Sequence, residues 1–240
     1  LLLLISIPNA NAALIARPMK QLAQVDPASI GVVANKESIL TFGNREKSGF
    51  AQVINGSPID LNCGVESFVS AATVDPAGNF VIVGASSNPI VGSLPPIQGV
   101  LNPDNVVSTP VLPLREDIDN LFFARVDLSG KIVKVINTEN KSGFLPNSIA
   151  VSTLNTLLVG NEMNSENRSR GAIWKFNSEG YTETFVFGDS QTVFNKAIAT
   201  SSKNLTIIGT SAETIAQRKV VGKSDGIILT LTQSNGKISN

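Results

Sequence analysis

The chain has 240 residues, 42% of them hydrophobic and 16% charged, with 19 basic residues against 19 acidic. That is long enough for one large all-β domain or two ordinary ones, and apolar enough for a substantial core. Zero net charge offers no basic face for a nucleic acid and no attraction to an anionic membrane. The complete lack of histidine excludes Ser-His-Asp catalysis, histidine zinc sites and histidine acid–base chemistry. The single Cys63 has no partner for an intramolecular disulfide. It reads as a small half-buried residue rather than a reactive thiol.

Residues 1–12 open with Leu1-Leu2-Leu3-Leu4-Ile5-Ser6-Ile7, then Pro8, and reach Ala10-Asn11-Ala12 before Ala13. An apolar run followed by A-x-A reads as the remnant of a secretory signal peptide. The run is too short to span a bilayer, and no other segment is long and apolar enough to do so. The expectation is an exported, bacterial-type protein whose mature chain starts near Ala13. Residues 13–28 form a lead-in segment in which Met19 to Val25 suits a short helix or an extended strand equally.

From Ser29 to Asn240 the chain repeats. One set of glycines closes short apolar runs: Gly43, Gly84, Gly160 and Gly209. A second set sits in polar turns: Gly56, Gly130, Gly180 and Gly236. From turn glycine to the next run glycine the steps are 28, 30 and 29 residues, whereas from run glycine to turn glycine they are 13, 46, 20 and 27. One half of the unit is fixed in length and the other is free.

Four strand types recur in each unit, each a short β-rich run bounded by Gly, Asn, Ser or Pro. The first is rich in small residues: Ile30 to Ala34, Val69 to Val74, Ser148 to Val151, Lys196 to Thr200. The second is the run that ends on the glycine. The third alternates apolar with polar: Phe50 to Ile54, Phe122 to Val126, Ala172 to Phe176, Ile227 to Leu231. The fourth follows the turn: Ile59 to Asn62, Lys131 to Ile136, Tyr181 to Phe187, with another beginning at Lys237. Asp75-Pro76-Ala77-Gly78-Asn79 is the clearest joint between first and second strands. Four strands per unit at a period near 50 describe a β-propeller blade, so the predicted fold is an all-β propeller of about four antiparallel blades. The chain stops at the start of a fourth strand. Either the segment near Lys20 to Val25 completes it and closes the ring, or further blades follow. The second is expected, since propellers most often exceed four blades.

The longest free half holds an insertion over 88–117 with Pro89, Pro95, Pro96, Pro103, Pro110 and Pro113. Prolines at that density cannot continue a ladder, so this is a surface loop. The free halves are the loops between second and third strands, which open on one propeller face. Length variation there suits a variable binding face, and simple drift of surface loops accounts for it equally.

Asp75-Pro76-Ala77-Gly78-Asn79-Phe80-Val81-Ile82-Val83-Gly84-Ala85-Ser86 resembles the first half of the bacterial β-propeller repeats known as SBBP repeats. Asp119-Asn120-Leu121-Phe122-Phe123-Ala124-Arg125-Val126-Asp127-Leu128-Ser129-Gly130 resembles the second half. Ser224 to Leu229 and Gly171 to Asn177 are degenerate copies. Thr153-Leu154-Asn155-Thr156 and Ser201-Ser202-Lys203-Asn204 lack the Asp and Gly of the turn. The resemblance implies blade geometry and an exported location, and no activity.

Glu116, Asp117 and Asp119 could together hold calcium, but strand-end Asp residues ordinarily cap turns, and that reading carries more weight. The polar stretch Asn161 to Arg170 could meet a glycan or peptide, with a solvated loop the plainer reading. Trp174 belongs to packing before sugar stacking. The N-x-[ST] matches at Asn55, Asn140, Asn167 and Asn204 matter only in a eukaryotic secretory path. No phosphate-cradling glycine loop occurs. The sequence therefore assigns no catalytic, metal or cofactor residue, and leaves the ligand-binding residues unknown. The leading expectation is a non-enzymatic binding or scaffold module at the cell surface or outside it, with an unidentified protein or glycan ligand. The competing expectation is a glycan hydrolase or lyase acting through paired carboxylates.

Overall fold

A computed structural model describes residues 25–61, 63, 65–87, 118–139, 143–163, 168–201 and 203–238. The signal-like residues 1–12, most of the lead-in 13–28, Asn62, and the insertion 88–117 with Glu116 and Asp117 lie outside the described residues. The described chain is all-β, with fifteen strands and no helix.

The strands form four antiparallel sheets, each a blade. Blade A holds β1 (Ser29–Ala34), β2 (Ile39–Arg45), β3 (Ser48–Val53) and β4 (Ile59–Leu61). Blade B holds β5 (Ser67–Val74), β6 (Phe80–Ser86), β7 (Asn120–Val126) and β8 (Ile132–Glu139). Blade C holds β9 (Leu145–Val151), β10 (Thr156–Met163), β11 (Ser169–Phe176) and β12 (Tyr181–Phe187). Blade D holds β13 (Thr192–Ala199), β14 (Asn204–Ser211) and β15 (Asp225–Thr232), with Ile238 bridging Leu231 where a fourth strand begins. Strand order follows chain order in every blade, the up-and-down meander of a four-blade β-propeller. The first strands pack side by side, β1 on β5, β5 on β9 and β9 on β13. Among the described residues no comparable packing joins β13 to β1.

Turn chemistry explains the meander. In the joint between β5 and β6, the Ala77 and Asn79 N–H groups both donate to Asp75 Oδ1 at 2.9 Å. Gly78 adopts φ +91°, where a side chain would be strained. Arg125 Nε on β7 reaches Asp75 Oδ2 at 3.0 Å and ties the turn to its own blade. Asp127 builds the same kind of turn before β8. There the Ser129 hydroxyl, followed by the Lys131 and Ser129 N–H groups, holds its carboxyl below the usual carboxylate range. In blade A the left-handed turn residue is Asn55, at φ +64°, rather than the adjoining glycine.

The sequence places each run glycine at the end of its strand. The structure instead carries the second strands two or three residues further, to Arg45, Ser86, Met163 and Ser211. The glycine is needed inside the strand because the innermost strand bulges opposite it. Ile30, Ser70, Asn147 and Asn195 are the extra residues of four bulges at one equivalent position. A Cβ on Gly43, Gly84, Gly160 or Gly209 would drive into the carbonyl oxygen of Ala28, Phe68, Leu145 or Val193 respectively.

Each pair of neighbouring blades encloses its own apolar core. Leu40, Phe42 and Val53 meet Phe80, Ile82 and Phe122 between blades A and B. Val83, Leu121 and Phe123 meet Leu158, Trp174 and Phe176 between B and C. Leu157, Val159 and Ile173 meet Phe194, Leu205, Ile207 and Leu231 between C and D. The expected alternation of third strands fails in β7, where Leu121, Phe122, Phe123 and Ala124 are all buried. A blade sandwiched between two others buries both faces, which erases the period-2 contrast. Trp174 belongs to this packing, stacked on Phe144 with ring centroids 5.4 Å apart. Cys63 is half-buried against the A–B core, and burial pushes its thiol up to about 11.

Asparagines stitch neighbouring blades through the backbone next to these bulges. Asn44, directly after its run glycine, donates from Nδ2 to Val69 O at 3.0 Å and accepts from Val69 N–H at 2.7 Å. Between C and D two residues share the task. Phe194 N–H donates to Asn161 Oδ1 at 3.0 Å, and Asn147 Nδ2 donates to Phe194 O at 2.8 Å. Between B and C the equivalent residues are Ala85 and Pro146, which has no N–H to satisfy.

Gly84→Ala and Gly160→Ala are expected to lower unfolding free energy by about 2–4 kcal/mol, because the backbone must move to admit the methyl. Gly226→Ala, with nothing within 4 Å of the added carbon, should stay within about 0.5 kcal/mol. Asn44→Ala should cost about 1–3 kcal/mol by leaving the Val69 amide without its partner. Urea denaturation of the four proteins checks all three values.

Candidate functional site

Two concave surfaces stand out among the described residues. The first lies where the first strands converge, a cavity of about 300 Å³ bordered by Ala72–Val74 of β5, Ile149–Val151 of β9 and Lys196–Ala199 of β13. The small first-strand residues that mark the sequence repeat are what leave this space open. Its polar equipment is sparse: the Thr73 hydroxyl, the exposed Lys196 ammonium and backbone groups on the strand edges. No carboxylate lines it.

The second surface, about 310 Å³, runs along the outer side of β15. It is shaped by the 13-residue span between β14 and β15, which lies in one of the free halves of the repeat. Within that span Ile215 and Arg218 exchange backbone hydrogen bonds, at 3.1 and 2.9 Å, around Ala216 (φ +52°) and Gln217 (φ +65°). Two consecutive positive φ values make a type I′ hairpin turn. It projects Arg218 and Lys219 over the groove, whose floor is Ile227, Leu229 and Ile238.

Glu213 anchors the root of this loop. Its carboxylate accepts N–H bonds from Asp189, Ser190 and Gln191 at 3.0 Å each, and the Thr192 hydroxyl at 2.8 Å. Three successive amides form an anion-binding nest, filled here by the chain's own side chain. Burial works against the charge. The hydrogen bonds from Gln191, Thr192, Asp189 and Ser190 outweigh it and hold the Glu213 carboxyl near a pKa of about 2. Gly188, at φ +75°, leaves no room for a side chain beside this cluster.

The residues singled out by sequence are dispersed. Asp119 precedes β7, while Glu116 and Asp117 lie outside the described residues; among these, no three His, Cys, Asp or Glu side chains come together as a metal site. The polar stretch Asn161 to Arg170 is less of a loop than its composition suggests. Asn161 to Met163 belong to β10, and Ser169 and Arg170 to β11. Asn161 clamps blade D, and the buried Glu162 pairs with Arg170 at 3.2 Å. Neither the nest around Glu213 nor the β15 groove was visible in sequence. Only the pair Arg218-Lys219 inside a free half hinted at the groove.

No known protein family matches this chain, and no curated protein matches it. Solved structures do resemble it at low identity. A protein of unknown function from Bacteroides caccae is 10% identical with a TM-score of 0.45, over 87% of this chain and 58% of its own. A subtype N10 neuraminidase-like protein of A/little yellow-shouldered bat/Guatemala is 14% identical with a TM-score of 0.47, over 86% and 56%. An exo-beta-1,3-galactanase from Phanerochaete chrysosporium is 11% identical with a TM-score of 0.37, over 87% and 61%. The chain thus spans somewhat over half the length of these proteins, and likeness at this level says nothing of its activity.

The depressed pKa of Glu213 sets a pH dependence. The folded value lies below the ordinary 4.5, so the ionised group stabilises the fold above that value, and the contribution fades as pH falls towards 2. Melting curves from pH 6 to pH 2 should show Glu213→Gln with a shallower acid loss than the parent chain. At pH 6 the variant should melt lower.

Proposed function

We propose that this chain is an exported, non-enzymatic binding or scaffold module that works at the cell surface or outside the cell. Its first-strand cavity and its long β2–β3-type loops present the ligand-meeting surfaces. The observation that carries this reading is the cavity lining, which among the described residues consists of aliphatic side chains, one hydroxyl and one ammonium. Such a surface holds a ligand by shape, backbone hydrogen bonds and one charge. Export is supported by the signal-like residues 1–12. Kinship with the SBBP repeats is supported by Asp75 to Ser86 and Asp119 to Gly130, in which Asp75 with Gly78 and Asp127 with Gly130 build turns. The ligand in this reading is a glycan or a protein.

The test is co-sedimentation with a panel of insoluble polysaccharides, with reducing ends measured in the same tubes. Saturable binding without new reducing ends is expected, and Lys196→Ala should lower the bound fraction severalfold without changing the melting temperature. Release of reducing ends that disappears in Glu162→Gln or Asp119→Asn would instead establish a carboxylate enzyme.

A further inference from the structure

We infer that the cleft between blades B and C, on the face carrying the turns before the second and fourth strands, binds a carboxylate-bearing sugar of an acidic polysaccharide. Arg125 of β7 and Lys134 of β8 line it, together with Phe123, Ile136 and the turns 152–156 and 177–178, around a space of about 220 Å³. No carboxylate lines it. The cleft shares no lining residue with the first-strand cavity, so the two readings fail independently.

The sheet register sets Arg125 directly opposite Lys134, and like charges at that spacing destabilise a strand pair. Blade C shows the stabilising alternative: the same positions hold Lys175 and Glu183, register partners joined at 2.7 Å. The positions correspond because each pair sits one step before the same bulge, between Arg125 and Val126 in blade B and between Lys175 and Phe176 in blade C. Blade B thus keeps a second cation where an acid would stabilise it. Asp75 offsets one charge, meeting Arg125 Nε at 3.0 Å. Lys134 has no acid partner among the described residues, and its ammonium donates to Ser178 O at 2.7 Å. One net positive charge therefore borders the cleft, which selects an anion.

The rest of the lining suits a sugar. The side chains of Thr153 and Asn155 border the same space and make no hydrogen bond among the described residues, so both remain available to ring hydroxyls. Phe123 and Ile136 supply an apolar wall for the C–H face of a ring. The space is smaller than the roughly 300–1,000 Å³ of sites for drug-sized ligands, so it takes one sugar ring rather than a peptide segment. The cleft on the same face between blades A and B sets two carboxylates, Glu37 and Asp75, against one ammonium, Lys36, and so disfavours the same ligand.

The probe is trigalacturonate, titrated into the 240-residue chain at low salt by calorimetry, with cellotriose and triglutamate as comparators. Saturable one-to-one binding is expected, at least about tenfold tighter than that of cellotriose and tighter than that of triglutamate. Lys134→Glu sets an acid opposite Arg125, as Glu183 stands opposite Lys175. It should lower affinity at least about tenfold while the melting temperature holds or rises. Lys134→Gln, which keeps a neutral donor near Ser178 O, should also weaken binding severalfold, whereas Lys36→Ala in the A–B cleft should leave it unchanged. Amide shifts in NMR spectra should centre on Lys134 and on Ser152 to Asn155. Equal affinity for cellotriose, tighter binding of triglutamate, shifts centred elsewhere, parental affinity in both Lys134 variants, or no saturable binding would each overturn the proposal.

Discussion

Everything in this propeller hangs on the close approach of two backbones within each blade. The first strand bulges, and the second strand passes beneath the bulge on a residue that cannot carry a side chain. Gly43, Gly84, Gly160 and Gly209 each face a main-chain carbonyl that a single methyl would strike. The bulge turns the first strand so that its backbone meets the neighbouring blade at the residue just before the extra one. That residue is Val69 in blade B and Phe194 in blade D, and both are held by asparagines of the preceding blade. A steric constraint inside one blade thus positions the hydrogen bonds between two.

Those hydrogen bonds matter because the apolar cores alone do not fix how far one blade slides along the next. Packing of Val, Leu and Phe faces is non-directional, whereas an amide that must pair with Asn44 or Asn161 is satisfied at one register only. The B–C boundary is informative as an exception. Pro146 has no N–H to donate, and Ala85 has no side-chain oxygen to accept one. Register there rests on larger side chains instead, the stack of Phe144 on Trp174 and the edge contact of Phe123 with Phe176.

The same division separates frame from surface. The fixed step of the repeat covers the turn, the first strand and the run glycine, all of them committed to packing. The free step covers loops that the frame merely anchors. In blade D that anchoring is explicit, since Glu213 ties the loop root to the amides of Asp189 to Gln191. The nest spends its anion-binding capacity on an internal carboxylate, which leaves the hairpin beyond it free to shape the groove with Arg218 and Lys219.

Sequence alone determined the four blade repeats of this chain, most turn positions and the division into fixed and free halves. These depend on local chemistry: Asx turns, left-handed glycines, and runs of β-branched residues, each readable within a few positions. It also marked the run glycines, though not their purpose, because the carbonyl they accommodate belongs to another strand 15 or 16 residues away. Tertiary structure decided the rest. It moved Asn161, Glu162 and Arg170 from an expected polar surface loop into strands, and gave Asn161 a partner in the next blade, 33 residues on. It also removed the alternation expected of β7, since burial on both faces is a property of the stack and not of the strand. Contacts between blades join residues some tens of positions apart through backbone groups that every residue carries, and so they leave no mark in the order of side chains.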